Sequence, residues 1–180
     1  MLNKELWYAH NTEIKMLKIT LTIAAMTLAT TVSAADTPIS GTVESKCSIF
    51  TDIQGVYGNP NPYELSTTPA DGGKQPIIRY DVASADFYTA KISYPTSFSS
   101  SPSLSDTVTW TGDVEVSSVS DTNMSGYEAA KVQYDNVTEF DLTVAGTTWF
   151  KVTSNAQYGY QKSFPAGNYT AIATAECIAN

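Results

Sequence analysis

The sequence predicts an all-β fold, a single antiparallel β-sandwich, on three observations. Short runs alternate apolar and polar side chains with the two-residue period of a half-buried strand. Clusters of Gly, Pro, Asn and Ser separate those runs. No window carries a 3.6-residue apolar stripe longer than two turns, and Met124 to Lys131 is the sole candidate for a helical turn.

The chain has 180 residues, 42% hydrophobic and 11% aromatic, enough apolar material for one packed core. Its first 35 residues read as an address. From Met16, one positive charge at Lys18 precedes an apolar stretch, Ile19 to Thr31, and the small residues Val32-Ser-Ala34-Ala35 follow. That is the layout of a secretory signal peptide, with cleavage expected after Ala34 or Ala35 and the true start at Met16. The stretch is too short and too threonine-rich to span a bilayer. The mature domain is then 36–180, with no linker or repeat to divide it.

Its strands follow in order. Ile39, Gly41, Val43, Cys47 and Ile49 share one face of an opening strand. Ile77 to Val82 is a β-branched and aromatic run opened by Pro76, and Tyr88 to Tyr94 alternates cleanly until Pro95 stops it. Thr107 to Thr111 is followed by Gly112, and Val114 and Val116 then alternate with Glu115 and Ser117. Lys131 to Tyr134 ends at the turn-forming Asp135-Asn136. Phe140, Leu142 and Val144 face inward, and Ala145-Gly146 turns the chain into Trp149 to Val152, which reads as a hairpin. The last strand runs from Tyr169 to about Ile178, and Gly55–Gln75 and Ser97–Asp106 read as edge loops.

Charge and composition exclude several functions. Lysine plus arginine total 10 against 18 aspartate plus glutamate, which argues against nucleic acid and against an anionic membrane surface. The single histidine, His10, is lost with the leader. Removing 1–35 also takes Lys4, Lys15, Lys18, Glu5 and Glu13, so the mature chain keeps seven basic and sixteen acidic side chains. Without histidine there is no Ser-His-Asp or Cys-His nucleophile and no imidazole-based metal site. Asp113/Glu115 and Glu139/Asp141 are carboxylate pairs of the kind a glycosidase needs, but alternating strands place such residues in solvent anyway. Acidic loops without D-x-[DN]-x-[DN]-G spacing do not make a calcium site. The expectation is no enzyme, no metal and no cofactor.

Cys47 and Cys177 are the only cysteines. In an oxidising compartment they allow one intrachain pairing, with an intermolecular bridge or two free thiols as the rival readings. An intrachain bridge makes the first and last strands neighbours. Trp110, Trp149 and the tyrosines fill the seam between sheets or stack on a ligand. Tyr57, Tyr63, Tyr158 and Tyr160 lie beside Gly or Pro and are the surface candidates. Asn123, Asn136 and Asn168 open N-x-[ST] sequons, incidental in a bacterial host.

Gly41-Thr-Val43-Glu-Ser-Lys-Cys47-Ser-Ile49 resembles the opening strand of bacterial pilin-like fimbrial subunits of the chaperone–usher type. Phe164-Pro-Ala-Gly167-Asn-Tyr169-Thr-Ala-Ile172 resembles their closing strand. The resemblance implies an incomplete immunoglobulin-like sandwich, exported and held by a periplasmic chaperone. Such a subunit polymerises when a neighbour's N-terminal strand fills its groove. Two features depart from that pattern. The second cysteine waits until the last strand, and Asp36 to Ser40 leaves little room for a donor arm. Either Ile39, Gly41 and Val43 are themselves the strand-exchange residues, or the domain is self-complete.

The expectation is therefore a structural subunit of an extracellular fimbria involved in adhesion, at the cell surface or in the periplasm. Its partners would be copies of itself or related subunits. The alternative is a monomeric binding module for carbohydrate or another surface ligand, using Tyr57 and Tyr63.

Overall fold

A computed structural model describes residues 38–42, 46–85, 88–160 and 162–180. The chain divides between Thr42 and Val43, and every described strand belongs to the second unit. The expected leader at 1–35, with its start at Met16 and its cleavage site, lies outside the described residues.

The strands are β1 (Cys47–Ile53), β2 (Gly58–Asn61), β3 (Glu64–Ser66), β4 (Ile77–Val82), β5 (Tyr88–Ser93) and β6 (Phe98–Ser100), followed by β7 (Val108–Val119), β8 (Val132–Tyr134), β9 (Val137–Leu142), β10 (Gly146–Tyr158), β11 (Thr170–Ala171) and β12 (Thr174–Ala179). Among the described residues, a short α-helix, α1 (Tyr127–Ala130), follows a 3-10 turn at Thr122–Gly126. Asp121 starts that turn by accepting the backbone N–H of Asn123 at 2.8 Å.

All strand pairings are antiparallel. The first sheet is built on β10: one edge pairs along its length with β7, and the other pairs with β4 and then β3. Beyond them lie β1 on β4 and β2 on β3. The second sheet has the order β12-β5-β9-β8, and β6 pairs with β11 as a separate ribbon.

Strict alternation decides which face of each strand is buried. Along β10, Thr148, Phe150, Val152, Ser154, Ala156 and Tyr158 are buried while the intervening residues are not. Ile78, Tyr80 and Val82 on β4 complete that inner face, and Ala90, Ile92, Phe140 and Leu142 answer from β5 and β9. The centroids of Phe140 and Phe150 are 4.5 Å apart across the sandwich, and Tyr80 meets Phe150 edge-on at 5.4 Å. Each such side chain contributes roughly 1.5–3 kcal/mol through burial alone. The Tyr80 hydroxyl donates to the Glu176 carbonyl on β12 at 3.0 Å, so the ring enters the core without an orphaned polar group.

Cys47 and Cys177 are bonded, with Cα atoms 6.4 Å apart. The bond joins the edge strand of one sheet to the edge strand of the other, so the first and last strands are neighbours across the sandwich rather than within a ladder.

Several local expectations differ from the structure. The opening strand begins at Cys47; residues 38–42 are not strand, and Val43 lies outside the described residues. Alternation alone cannot make a strand where no ladder partner is present. Gly112 sits inside the twelve-residue β7, which carries Trp110, Val114 and Val116 in one strand. A Cβ there would come within 2.5 Å of both the Thr153 carbonyl and the Tyr94 ring, so the glycine allows Tyr94 to lie on the sheet.

The hairpin expected at Ala145-Gly146 is instead a crossing between sheets, because β9 pairs with β5 and β10 with β4. Their apolar residues face each other across the core instead of lying side by side. The loops expected at 55–75 and 97–106 contain β2, β3 and β6.

The disulfide closes a loop with a sequence separation of 130, which corresponds to about 5 kcal/mol of denatured-state entropy. The double variant Cys47→Ala/Cys177→Ala is expected to lose most of that amount in urea titration, with the same circular dichroism spectrum at zero urea. A loss under about 1 kcal/mol would show that the bond is dispensable to the fold.

Candidate functional site

Cys47 clamps one end of the seam between β1 and β12, and further along the same two segments the seam opens into a groove of about 700 Å³. One wall is Thr51 and Gln54–Tyr57, and the opposite wall is Gly167–Ala173. Leu65, Ile78 and Val152 form an apolar floor, with Thr67 and Ser154 beside them.

Sequence chemistry explains both walls. The first carries Gly55 and Tyr57 between β1 and β2, and Gly58 opens β2; a Cβ at Gly58 would come within 2.1 Å of the Asp71 carbonyl, so glycine lets this wall pack tightly against the turn at 71–73. The second leaves one ribbon and enters another sheet. Ile172 and Ala173 stand between β11 and β12, in neither strand. Val56 and Ile172 are the exposed lips, 57% and 62% accessible.

The floor is already covered, since Leu65, Ile78, Val152, Thr67 and Ser154 are no more than 7% exposed. Its polar groups are satisfied within the protein. Ser154 donates its N–H to Thr67 Oγ1 at 2.8 Å, and the Ser154 hydroxyl bonds the Tyr57 hydroxyl at 2.8 Å. Tyr57 also packs edge-on against Phe98 at 6.4 Å.

Phe98 is the hub of a second aromatic cluster beneath the groove's far end. Trp110, Phe164 and Tyr169 surround it at 4.7 to 6.0 Å, and Tyr158 stacks on Phe164 at 5.1 Å. Phe98 and Tyr169 sit on or beside the β6–β11 ribbon, which is how this ribbon is anchored to the sandwich.

The residues singled out from sequence divide accordingly. Tyr57 lines the groove, but Tyr63 does not, and it is 44% exposed elsewhere. The two do not form one site. Tyr158, expected at the surface, is 3% exposed, because β10 continues to it in the inward phase. Tyr160 is 86% exposed.

Trp110 belongs to the aromatic cluster, and Trp149 lies on the outer sheet face, donating its indole N–H to Asp52 at 2.8 Å. Arg79 lies 4.6 Å over Phe50 and pairs with Asp52 and Asp81 at 3.2 and 3.3 Å. Asp113 pairs with Lys131 at 3.2 Å and Glu115 with Lys151 at 3.0 Å, so these two carboxylates are each committed to a lysine. Ile39 is 98% exposed, and nothing surrounds the position of a Cβ on Gly41. Among the described residues, no three metal-ligating side chains converge, and no helix is long and apolar enough to cross a membrane.

Sequence reasoning missed the groove walls at Gln54–Val56 and 167–173, because turn residues carry no period from which a facing segment could be read. The last strand expected from Tyr169 to Ile178 is divided at Ile172–Ala173, and no Gly or Pro there signals the break.

Burial pushes the Tyr57 phenol above its usual 10, with the Ser154 bond pulling the other way, and burial pushes Tyr80 up as well. The folded protein therefore holds these protons more tightly than the unfolded chain. The stability this confers is intact below pH 10 and is lost as pH rises through the folded values. Absorbance titration at alkaline pH should show part of the tyrosine signal appearing only with unfolding, and a smaller delayed fraction in Tyr57→Phe. Simultaneous, reversible ionisation of all tyrosines near pH 10 would contradict the buried placement.

Compared with protein-family models, with characterised proteins and with solved structures, the chain matches none.

Proposed function

We propose that the protein is an exported structural subunit of an extracellular fimbria-like filament. Each copy would lay its segment around Ile39, Gly41 and Val43 into the groove of the next. The observation that carries this reading is a match in charge. Among the described residues, no Lys, Arg, His, Asp or Glu lines the groove, in a chain with 28 basic and acidic side chains (10 and 18). The segment from Thr37 to Val43 is also free of charge. Burying an unpaired charge between two protein surfaces is costly, so an uncharged groove suits an uncharged occupant.

An added strand suits the groove in form as well. Two chain segments, Gln54–Tyr57 and Gly167–Ala173, line it, and its lips present Val56 and Ile172 to whatever enters. The covered floor adds a constraint: the subunit would be folded before it receives the arm, and the gain on assembly would come from the lips and walls. A periplasmic chaperone would shield the same groove before assembly, and adhesion would be a property of the filament.

Material assembled from the full chain is expected to run as an SDS-resistant ladder. Deleting residues 36–45 should abolish the ladder, and Ile172→Glu should abolish it too by placing a charge on the lip. Both variants should retain the melting temperature of the intact protein, because neither touches the buried floor. A strictly monomeric mature protein would overturn the reading.

A further inference from the structure

A second, smaller cleft of about 400 Å³ lies on the other side of Ile172 and shares Ile172 and Pro95 with the groove. We propose that this cleft is a binding site for a neutral saccharide, independent of how the subunits assemble. Among the described residues its lining too has no charged side chain, and its polar side chains carry hydroxyls and one carboxamide.

Two of its groups are held in place before any ligand arrives. The Asn136 amide donates to the Tyr94 carbonyl at 2.8 Å, while the Tyr94 N–H donates to the Asn136 carbonyl at 3.1 Å. This reciprocal pair fixes the carboxamide and leaves its Oδ1 as an acceptor without a partner among the described residues. The Tyr94 ring is pinned between Gly112, where a Cβ would lie 2.5 Å from it, and its own hydroxyl's bond to the Asp135 carbonyl at 3.2 Å.

Around them, Ser93, Thr96, Ser97 and Thr174 bring four side-chain hydroxyls, none of which bonds another protein group among the described residues. A pyranose presents the same mixture, with C–H faces suited to an aromatic ring and to Ile172, and hydroxyls that both donate and accept. Fixed partners reduce the ordering cost of binding a small, well-hydrated ligand. The missing charge selects against sialylated or sulfated sugars, because no cation is present to compensate their desolvation.

The test is saturation-transfer NMR and calorimetry on the intact protein, with lactose and N-acetyllactosamine as neutral probes and 3′-sialyllactose as the anionic one. Binding of a neutral probe in the roughly millimolar range is expected, with the sialylated probe at least about tenfold weaker. Ser97→Trp, an exposed position whose new side chain fills the cleft, should remove binding. Tyr57→Phe, in the neighbouring groove, should leave binding unchanged. No binding of either neutral probe, equal binding of the sialylated one, or full binding to Ser97→Trp would each overturn the assignment. Loss of assembly without loss of sugar binding would bear on the filament reading alone.

Discussion

The bond between Cys47 and Cys177 joins two sheets that share no ladder, at the edge where each would otherwise end. β1 leaves the bond in one direction and the chain arrives at it along β12, so the two edges are held together at one point and free to part further on. The groove begins where they part, between Thr51 and Ala173. A sandwich without that clamp would have two independent edges; with it, the opening has a closed end and two defined walls. Residues distant in sequence thereby form one surface, and any role for that surface depends on the bond being made.

Beneath the clamp, the Phe140–Phe150 contact and the Tyr80 hydroxyl hold the sheets at their spacing. This explains why the groove floor is buried. The inner face of β10 is continuous from Thr148 to Tyr158, and it serves the main core first, then the groove floor at Val152 and Ser154, then the aromatic cluster at Tyr158. One strand thus supplies three environments, and alternation alone aims all three.

That alternation is why so much of the fold is legible in the sequence. β4, β5 and β9 fall where their inward residues predict, and the two cysteines pair as their count suggests. Strand partnership is not legible in the same way. Phe140–Leu142 and Trp149–Val152 look like hairpin arms because nothing local distinguishes neighbours in a sheet from neighbours across a core. The need for glycine at 112 is not local either, because it is Tyr94, just past β5, that lies where a Cβ would be. The groove walls and the Tyr94–Asn136 cleft share this character: they arise from segments that meet only in three dimensions. Tyr57 stands out beside Gly58 as a surface candidate, yet it is half-buried and tied to Ser154, which nothing local signals.

The central claim is that the arm of one copy occupies the groove of another. A photo-activated cross-linker placed at Ile172 in isotopically heavy protein, mixed before assembly with light protein, tests it directly. The account predicts heavy–light cross-links that map to residues 37–43 of the light chain. Assembled material whose cross-links from Ile172 avoid that segment, or join it only within one chain, would contradict it.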